Sequence, residues 1–378
     1  MKILYIFRSL AVWGGIERIL IDKMNYLSGL NEMDVYMITS DQGNHSIPYT
    51  LNSNVSFEDL GICFYRQYQY CLLKRVVIRR KMIKRYEGLL AERLSNIDPD
   101  IIVCTTADMI SSIVKVKGSI PLVVESHSIC IRTVNNGKNR IQRIINRYFY
   151  LNCLRKVDVL VALTEGDAYE WKKYHQRVVV IPNSVHLNNC LMSEVLSKKV
   201  IFVGRFDYQK RVSEAIRIWS VVRQKHPDWV LEIYGEGELK KEIEDRSKEV
   251  GGIIINHPTN LIFDRYREGA ILISTSLFEP FGLVLPEAMS CGLPVVAYDC
   301  QYGPADIITN GVDGFLIKQD DVKSFVEKLS FLMSNPNVRK KMGEAGMISA
   351  RRYESSQIMP LWLNLFQQLN HKNSKKSN

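Results

Sequence analysis

Apolar residues in the first half of the chain gather into short runs at 2–7, 34–39, 100–104, 121–126, 157–163 and 177–182. Runs of this length, rich in Ile, Val and Leu and bounded by polar turns, read as strands; most are separated by segments whose apolar residues recur at helical spacing. A strand buried on both faces loses the strict apolar–polar alternation, so continuous runs alternating with helices predict a mostly parallel, doubly wound sheet. The pattern then starts again at 199–206, 229–235, 252–258, 271–276 and 294–299. Two Rossmann-like domains of the α/β class are therefore expected.

Between them, residues 183–198 lack clear periodicity and begin polar, which places the linker there. The expected division is an N-terminal domain over 1–183, a C-terminal domain over 184–355, a closing helix over 356–370 and a disordered tail over 371–378. In that helix Ile358, Leu361, Trp362, Leu365, Phe366 and Leu369 recur at spacings of three and four. Such a stripe must be buried, and packing back across the first domain would bury it.

A chain of 378 residues is long enough for two such cores, and 46% hydrophobic with 24% charged residues is ordinary for a globular protein, which argues against disorder or a fibrous repeat. The apolar N-terminal run is interrupted at Arg8 and reads as a first strand rather than a leader. No uninterrupted apolar stretch reaches the ~20 residues of a membrane-spanning helix. Eight cysteines without a Cys-x-x-Cys pair read as reduced thiols of a cytoplasmic protein. The net charge of +10 favours anionic partners but does not choose between nucleotide diphosphates, anionic lipid and nucleic acid.

Candidate chemistry concentrates in residues 274–297. A strand is expected to end in a turn carrying Glu279 and Pro280, and a helix to begin near Phe281 and Gly282 and stop at Gly292, with Glu287 about two turns inside it. Ligands of open α/β sheets collect at such strand ends. An ionised carboxylate only accepts hydrogen bonds, so Glu279 and Glu287 suit the hydroxyls of a sugar or ribose. The N–H groups of Phe281, Gly282 and Leu283, at the positive end of the helix, suit a phosphate. Together these groups describe a nucleotide-sugar site. Either glutamate alone is better read as an ordinary surface or helix position; the joint pattern is what carries the reading.

The segment resembles the Glu-x7-Glu signature of the retaining GT-B glycosyltransferases of family four (glycosyl transferases group 1), with Glu-Pro-Phe-Gly at 279–282 and Glu-Ala-Met-Ser-Cys-Gly-Leu-Pro-Val-Val at 287–296. Further matches follow in the family's order. Gly14-Gly15-Ile16-Glu17-Arg18 resembles its glycine-rich turn, Ile181-Pro182-Asn183 its interdomain motif, and Val203-Gly204-Arg205 with Lys210 its phosphate-binding pair. The resemblance implies two facing Rossmann-like domains with a C-terminal helix on the first. It implies that Arg205 and Lys210 bind the diphosphate, Glu287 the ribose and Glu279 the transferred sugar. Gly14 and Gly15 would then lie against the donor phosphates or the acceptor, and His127, in Glu125-Ser126-His127, near the transferred sugar. Two positions depart from the pattern: Asp306 stands where the family usually carries Glu, and Arg211 where it often carries Gly.

The implied reaction moves a hexose or N-acetylhexosamine with retention from a nucleotide sugar, with UDP favoured as the base and GDP left open. The nucleotide sugar is a co-substrate and no further cofactor is implied. No Asp-x-Asp lies near the site, so no required divalent metal is implied either. Basic residues interleave with aliphatic ones at Lys74, Arg75, Arg79, Arg80, Lys81, Lys84 and Arg85, and again at Lys138, Arg140, Arg143 and Arg147. Both stretches read as amphipathic helices able to lie on an anionic membrane, with a solvated face as the alternative. A lipid-linked oligosaccharide acceptor of polysaccharide or lipopolysaccharide assembly would follow, along with a peripheral position on the inner face of the plasma membrane. No nucleic-acid-binding module is recognisable. The competing readings are a non-catalytic sugar-nucleotide-binding protein of the same fold, a sugar-nucleotide epimerase, and a phosphorylase, which would need a pyridoxal-phosphate lysine. An NAD dehydrogenase would need a Gly-x-Gly-x-x-Gly after a first strand, which is absent.

Overall fold

A computed structural model describes residues 1–105, 107–185, 187 and 197–374. Most of the expected linker and the last four residues lie outside these. The chain divides into two compact units, one of residues 1–163, 168–181 and 359–378, the other of residues 164–167 and 182–358.

In the first unit the elements run β1 (Lys2–Phe7), α1 (Gly15–Ser28), β2 (Asp34–Thr39), β3 (Val55–Asp59), α2 (Leu72–Ile97), β4 (Ile101–Cys104), α3 (Ile110–Val116), β5 (Leu122–Glu125), α4 (Cys130–Val134), α5 (Arg140–Leu154), β6 (Val159–Ala162), α6 (Glu165–Trp171) and β7 (Val178–Val180). Its seven strands are all parallel, in the order β3-β2-β1-β4-β5-β6-β7. Every residue of β4, β5 and β6 is buried, as strands covered on both faces require. Side chains alternate between the faces: Leu122 and Val124 join a core with Tyr86 and Leu90 of α2, Ile113 of α3, Cys130 of α4 and Leu154 of α5. Val123 and Glu125 point the other way. β3 is the strand of this unit that the apolar pattern does not reveal. It lies at the sheet edge, and in Val-Ser-Phe-Glu-Asp only Val55 is fully buried.

The second unit runs β8 (Lys199–Val203), α7 (Val212–Val222), β9 (Val230–Tyr234), α8 (Lys240–Val250), β10 (Ile253–Asn256), α9 (Ile262–Glu268), β11 (Ile271–Ser274), β12 (Phe278–Glu279), α10 (Val284–Ser290), β13 (Val295–Asp299), β14 (Gln301–Tyr302), α11 (Gly303–Ile307), β15 (Gly314–Lys318), α12 (Val322–Ser334) and α13 (Pro336–Ala350). Six parallel strands take the order β10-β9-β8-β11-β13-β15, and β12 pairs with β14. In both sheets the strand order reverses beside the first strand, between β1 and β4 and between β8 and β11. Crevices at the carboxyl ends of strands flanking such a reversal are where open α/β sheets bind ligands.

The last helix, α14 (Ser355–Ser374), belongs with the first unit from Met359 onward. Ile358, Trp362, Leu365, Phe366 and Leu369 are buried as their spacing predicts. Leu361 is not: it is 44% exposed, and Met359 is buried instead. The helix also continues through His371 to Ser374, where the polar composition suggests a disordered tail. Among the described residues no helix is long and apolar enough to cross a membrane. The seven described cysteines are all free.

Candidate functional site

In the second unit the loop after β8 and the loop after β11 leave adjacent strands at the sheet's reversal point. They are tied together by hydrogen bonds that the sequence pattern does not announce. Thr275 Oγ1 donates to the carbonyls of Lys210 (3.2 Å) and Arg211 (2.9 Å), and Leu277 N donates to the Gln209 carbonyl (2.8 Å). Gln209 Nε2 reaches the Phe278 carbonyl at 3.2 Å while its Oε1 accepts from Arg205 at 3.2 Å. The outcome is a Lys210 Nζ to Glu279 Oε1 contact of 2.5 Å across 69 residues of sequence, with Ser276 Oγ donating to the same oxygen at 2.6 Å. Thr275, Ser276 and Gln209 were not singled out by sequence, since a lone hydroxyl or amide carries no spacing signal.

Arg205 sits on the same loop, paired with Asp207 Oδ2 at 2.9 Å, and its side chain is 69% exposed. It can therefore swing toward a ligand at little cost. Lys210 is positioned more tightly, because its N–H bonds Asp207 Oδ1 at 3.0 Å. Cys300 faces this group as well. Burial first, and Glu279 next, push its thiol up to about 12, so it stays protonated and is no nucleophile.

The helix after Glu279 begins later than its residues suggest. α10 covers only Val284–Ser290, which puts Glu287 in its first turn rather than two turns inside. Phe281, Gly282 and Leu283 precede it. The Phe281 ring is buried edge-to-face on Tyr353, 5.2 Å between centroids, so only its backbone is available to a ligand. Gly282 has φ of 92°, a left-handed conformation that explains the glycine. Glu287 is buried, with Tyr266 Oη at 3.5 Å from Oε2, at the limit of a hydrogen bond.

Both departures from the family pattern have visible surroundings. Arg211 has φ of 50°, which accounts for glycine being common at such a position. The arginine is retained there with its guanidinium 2.7 Å from Asp320. Asp306 accepts from the Glu165 backbone N–H at 2.7 Å, and burial raises its carboxyl above the usual range.

In the first unit Gly14 caps α1 in an ordinary extended conformation, and Gly15 is its first residue. A Cβ on Gly14 would meet only the mobile carboxylate end of Glu17, at 2.1 Å. The turn itself therefore does not require glycine at 14. His127 follows β5, with Nε2 3.2 Å from Glu125 Oε1. Glu125 and its partner Lys23, of α1, are functional candidates that the sequence reading passed over. Lys23 lies at a core position of the stripe Ile19, Leu20, Met24 and Leu27, which is the signal that would have found it.

Comparison with known proteins covers nearly the whole chain. The family model described as Glycosyltransferase Family 4 matches residues 13–189, and the model described as Glycosyl transferases group 1 matches residues 194–348. An uncharacterized glycosyltransferase of Haemophilus influenzae is 24% identical over 96% of this chain and 98% of its own length. At the same identity, over 97% and 98%, stands the GalNAc-alpha-(1->4)-GalNAc-alpha-(1->3)-diNAcBac-PP-undecaprenol alpha-1,4-N-acetyl-D-galactosaminyltransferase of Campylobacter jejuni. Among solved structures, a Staphylococcus aureus TarM mutant in complex with fondaparinux, alpha-GlcNAc-glycerol and UDP superposes with a TM-score of 0.80. It covers 97% of this chain and 99% of that one at 16% identity, a likeness of fold.

Proposed function

Because the chain belongs to the glycosyltransferases of family 4 and group 1, and has their GT-B fold, we propose that it transfers a hexose or N-acetylhexosamine with retention from a UDP-sugar to a lipid-linked glycan. Its place is the assembly of a cell-surface polysaccharide. The observation that carries this reading is the Lys210–Glu279 contact at the reversal point of the second sheet.

In the proposed reaction the bond between the sugar's anomeric carbon and the diphosphate oxygen breaks, and its electron pair stays on the departing diphosphate. Arg205 and Lys210 stabilise that charge as it grows, which is where fixed cations accelerate a reaction most. Glu279 accepts from hydroxyls of the transferred sugar and Glu287 from the ribose. The acceptor oxygen bonds to the same face of the anomeric carbon, and its proton passes to the leaving phosphate oxygen. His127 borders the transferred sugar, and Gly14 and Gly15 allow close backbone approach of a phosphate or acceptor. No metal and no further cofactor enters this scheme. UDP as the base, with GDP the alternative, is supported by the UDP complex of TarM.

A lipid-linked acceptor is supported by the undecaprenol named for the Campylobacter jejuni relative, and by two exposed faces of the first unit. Leu72, Leu73, Val76 and Val77 of α2 are exposed beside Arg79, Arg80 and Lys84. On α5, capped by Asn139, the side chains of Ile141, Ile144, Ile145, Tyr148 and Phe149 are exposed among Arg140, Arg143 and Arg147. Aliphatic and aromatic side chains exposed among cations fit an anionic bilayer surface. Reversing the charges at Arg79, Arg80 and Lys84 is expected to release the protein from anionic vesicles, and unchanged co-sedimentation would defeat this part of the reading.

The test of the reaction is hydrolysis and transfer measured over a panel of nucleotide sugars. Glu287→Ala and Arg205→Ala are expected to weaken donor binding or abolish turnover while the melting temperature holds; wild-type rates in both would remove the site.

A further inference from the structure

Behind His127, on the face of the first sheet opposite α2 to α5, lies a buried charge cluster that the reaction as described does not use. Lys23 Nζ lies 2.5 Å from Glu125 Oε1, with the two side chains 3% and 1% exposed. On its other side Lys23 meets the indole of Trp362 in α14, 3.7 Å from nitrogen to ring centroid. His127 Nε2 stands 3.2 Å from the same Glu125 oxygen, off the line of a straight hydrogen bond, while Glu125 Oε2 is buried with no partner. Tyr5 Oη is buried without a partner in the same unit and is pushed up by its burial and then by the Glu125 charge.

A buried ion pair is a poor device for stability alone, because taking both charges out of water costs about as much as their attraction returns. A carboxylate facing one imidazole nitrogen does have a known use. It fixes the ring's rotation and keeps the proton on that nitrogen, so the other nitrogen presents its lone pair to a ligand. Glu125 is equipped for this. Burial alone would raise its carboxyl, but Lys23 and then His127 more than offset that and bring it down to about 2, so it is anionic throughout the working range.

We propose that Glu125 is the positioning residue of His127, held anionic and in place by Lys23 of α1, which Trp362 of the final helix covers in turn. The final helix thereby reaches His127 through two side chains. The proposal rests on the reading of His127 as a group bordering the transferred sugar, and the test separates the two.

Turnover and donor KM are measured on the full chain for His127→Ala, Glu125→Gln and the double variant Lys23→Met with Glu125→Leu, each with a thermal melt. The double variant removes both charges together, so it leaves no buried ion unpaired and is expected to melt like the parent. Glu125→Gln and the double variant are both expected to lose about 10- to 100-fold in kcat with donor KM within about twofold. Adding His127→Ala to Glu125→Gln should cost little more, because the residue being positioned is already misplaced. A double variant that melts and turns over like the parent, beside an impaired His127→Ala, overturns the positioning role and leaves the reading of His127 standing. Parental turnover in His127→Ala overturns that reading, and the proposal with it.

Discussion

Lys23 and Glu125 in the first unit, and Lys210 and Glu279 in the second, are both lysine–glutamate contacts of 2.5 Å placed at the carboxyl end of a parallel strand. Their surroundings differ. The first pair is sealed, while the second keeps Lys210 15% exposed beside a more open Arg205. A sealed pair cannot exchange partners without leaving a buried charge behind, so it can only hold something in place. On the proposed reading, the second pair, with Lys210 partly exposed, opens when a diphosphate offers Lys210 a better anion and a sugar offers Glu279 its hydroxyls. On that reading, the same two residue types hold a neighbour in place in one unit and exchange partners with a ligand in the other.

Removing one partner from each pair gives the largest contrast. Lys23→Met leaves Glu125 buried with only His127 beside it, and is expected to cost about 3–5 kcal/mol in urea unfolding. Lys210→Ala leaves Glu279, itself only 5% exposed, with the Ser276 hydroxyl still donating to it, so it is expected to cost less in unfolding than Lys23→Met while turnover falls by about 10²–10³. Equal destabilisation by the two substitutions would erase the distinction drawn here.

Acid sharpens the same contrast with a smaller effect. Glu125, facing Lys23 and His127 with Tyr5 nearby, is held at about 2, below the ordinary glutamate value of about 4.3. In the window between these values the unfolded chain binds the extra proton. The stabilisation from this group is therefore complete only above about pH 5 and is lost as pH falls toward 2. The parent should lose stability more steeply across that window than the double variant Lys23→Met with Glu125→Leu, followed by unfolding at each pH.

Arg211 offers the smallest test. Arg211→Gly relieves a left-handed residue of about 1 kcal/mol of strain but removes the contact with exposed Asp320, itself worth about 0–1 kcal/mol. The two nearly cancel, so the unfolding free energy should move by less than about 1 kcal/mol. A larger loss would mean that Arg211 organises the β8–α7 loop and bears on the Lys210 side of the comparison.

The buried strands were legible because burial on both faces leaves continuous apolar runs such as Ile101–Cys104 and Val159–Ala162. β3 and β15, both at sheet edges, were not: most residues of β3 are at least partly exposed, and β15 offers only the short apolar run Phe315–Ile317 between Gly314 and Lys318. Glu279 and Glu287 were legible through their spacing, whereas the start of α10 was misplaced because the left-handed Gly282 delays the helix. Thr275 and Gln209 escaped notice because their bonds reach a loop some 65 residues away, and Ser276 because a lone hydroxyl bonded to Glu279 three residues on carries no pattern.

Local chemistry, by itself, decided the α/β alternation, the carboxylate pair, the cations after β8 and the amphipathic character of α2, α5 and α14, because each is written in residue type and near-neighbour period. Which lysine would be sealed and which left near water, and that Trp362 would cover a charge on α1, was decided only when distant segments packed. Burial and partner choice belong to the surroundings a side chain acquires there, and no spacing along the chain encodes them.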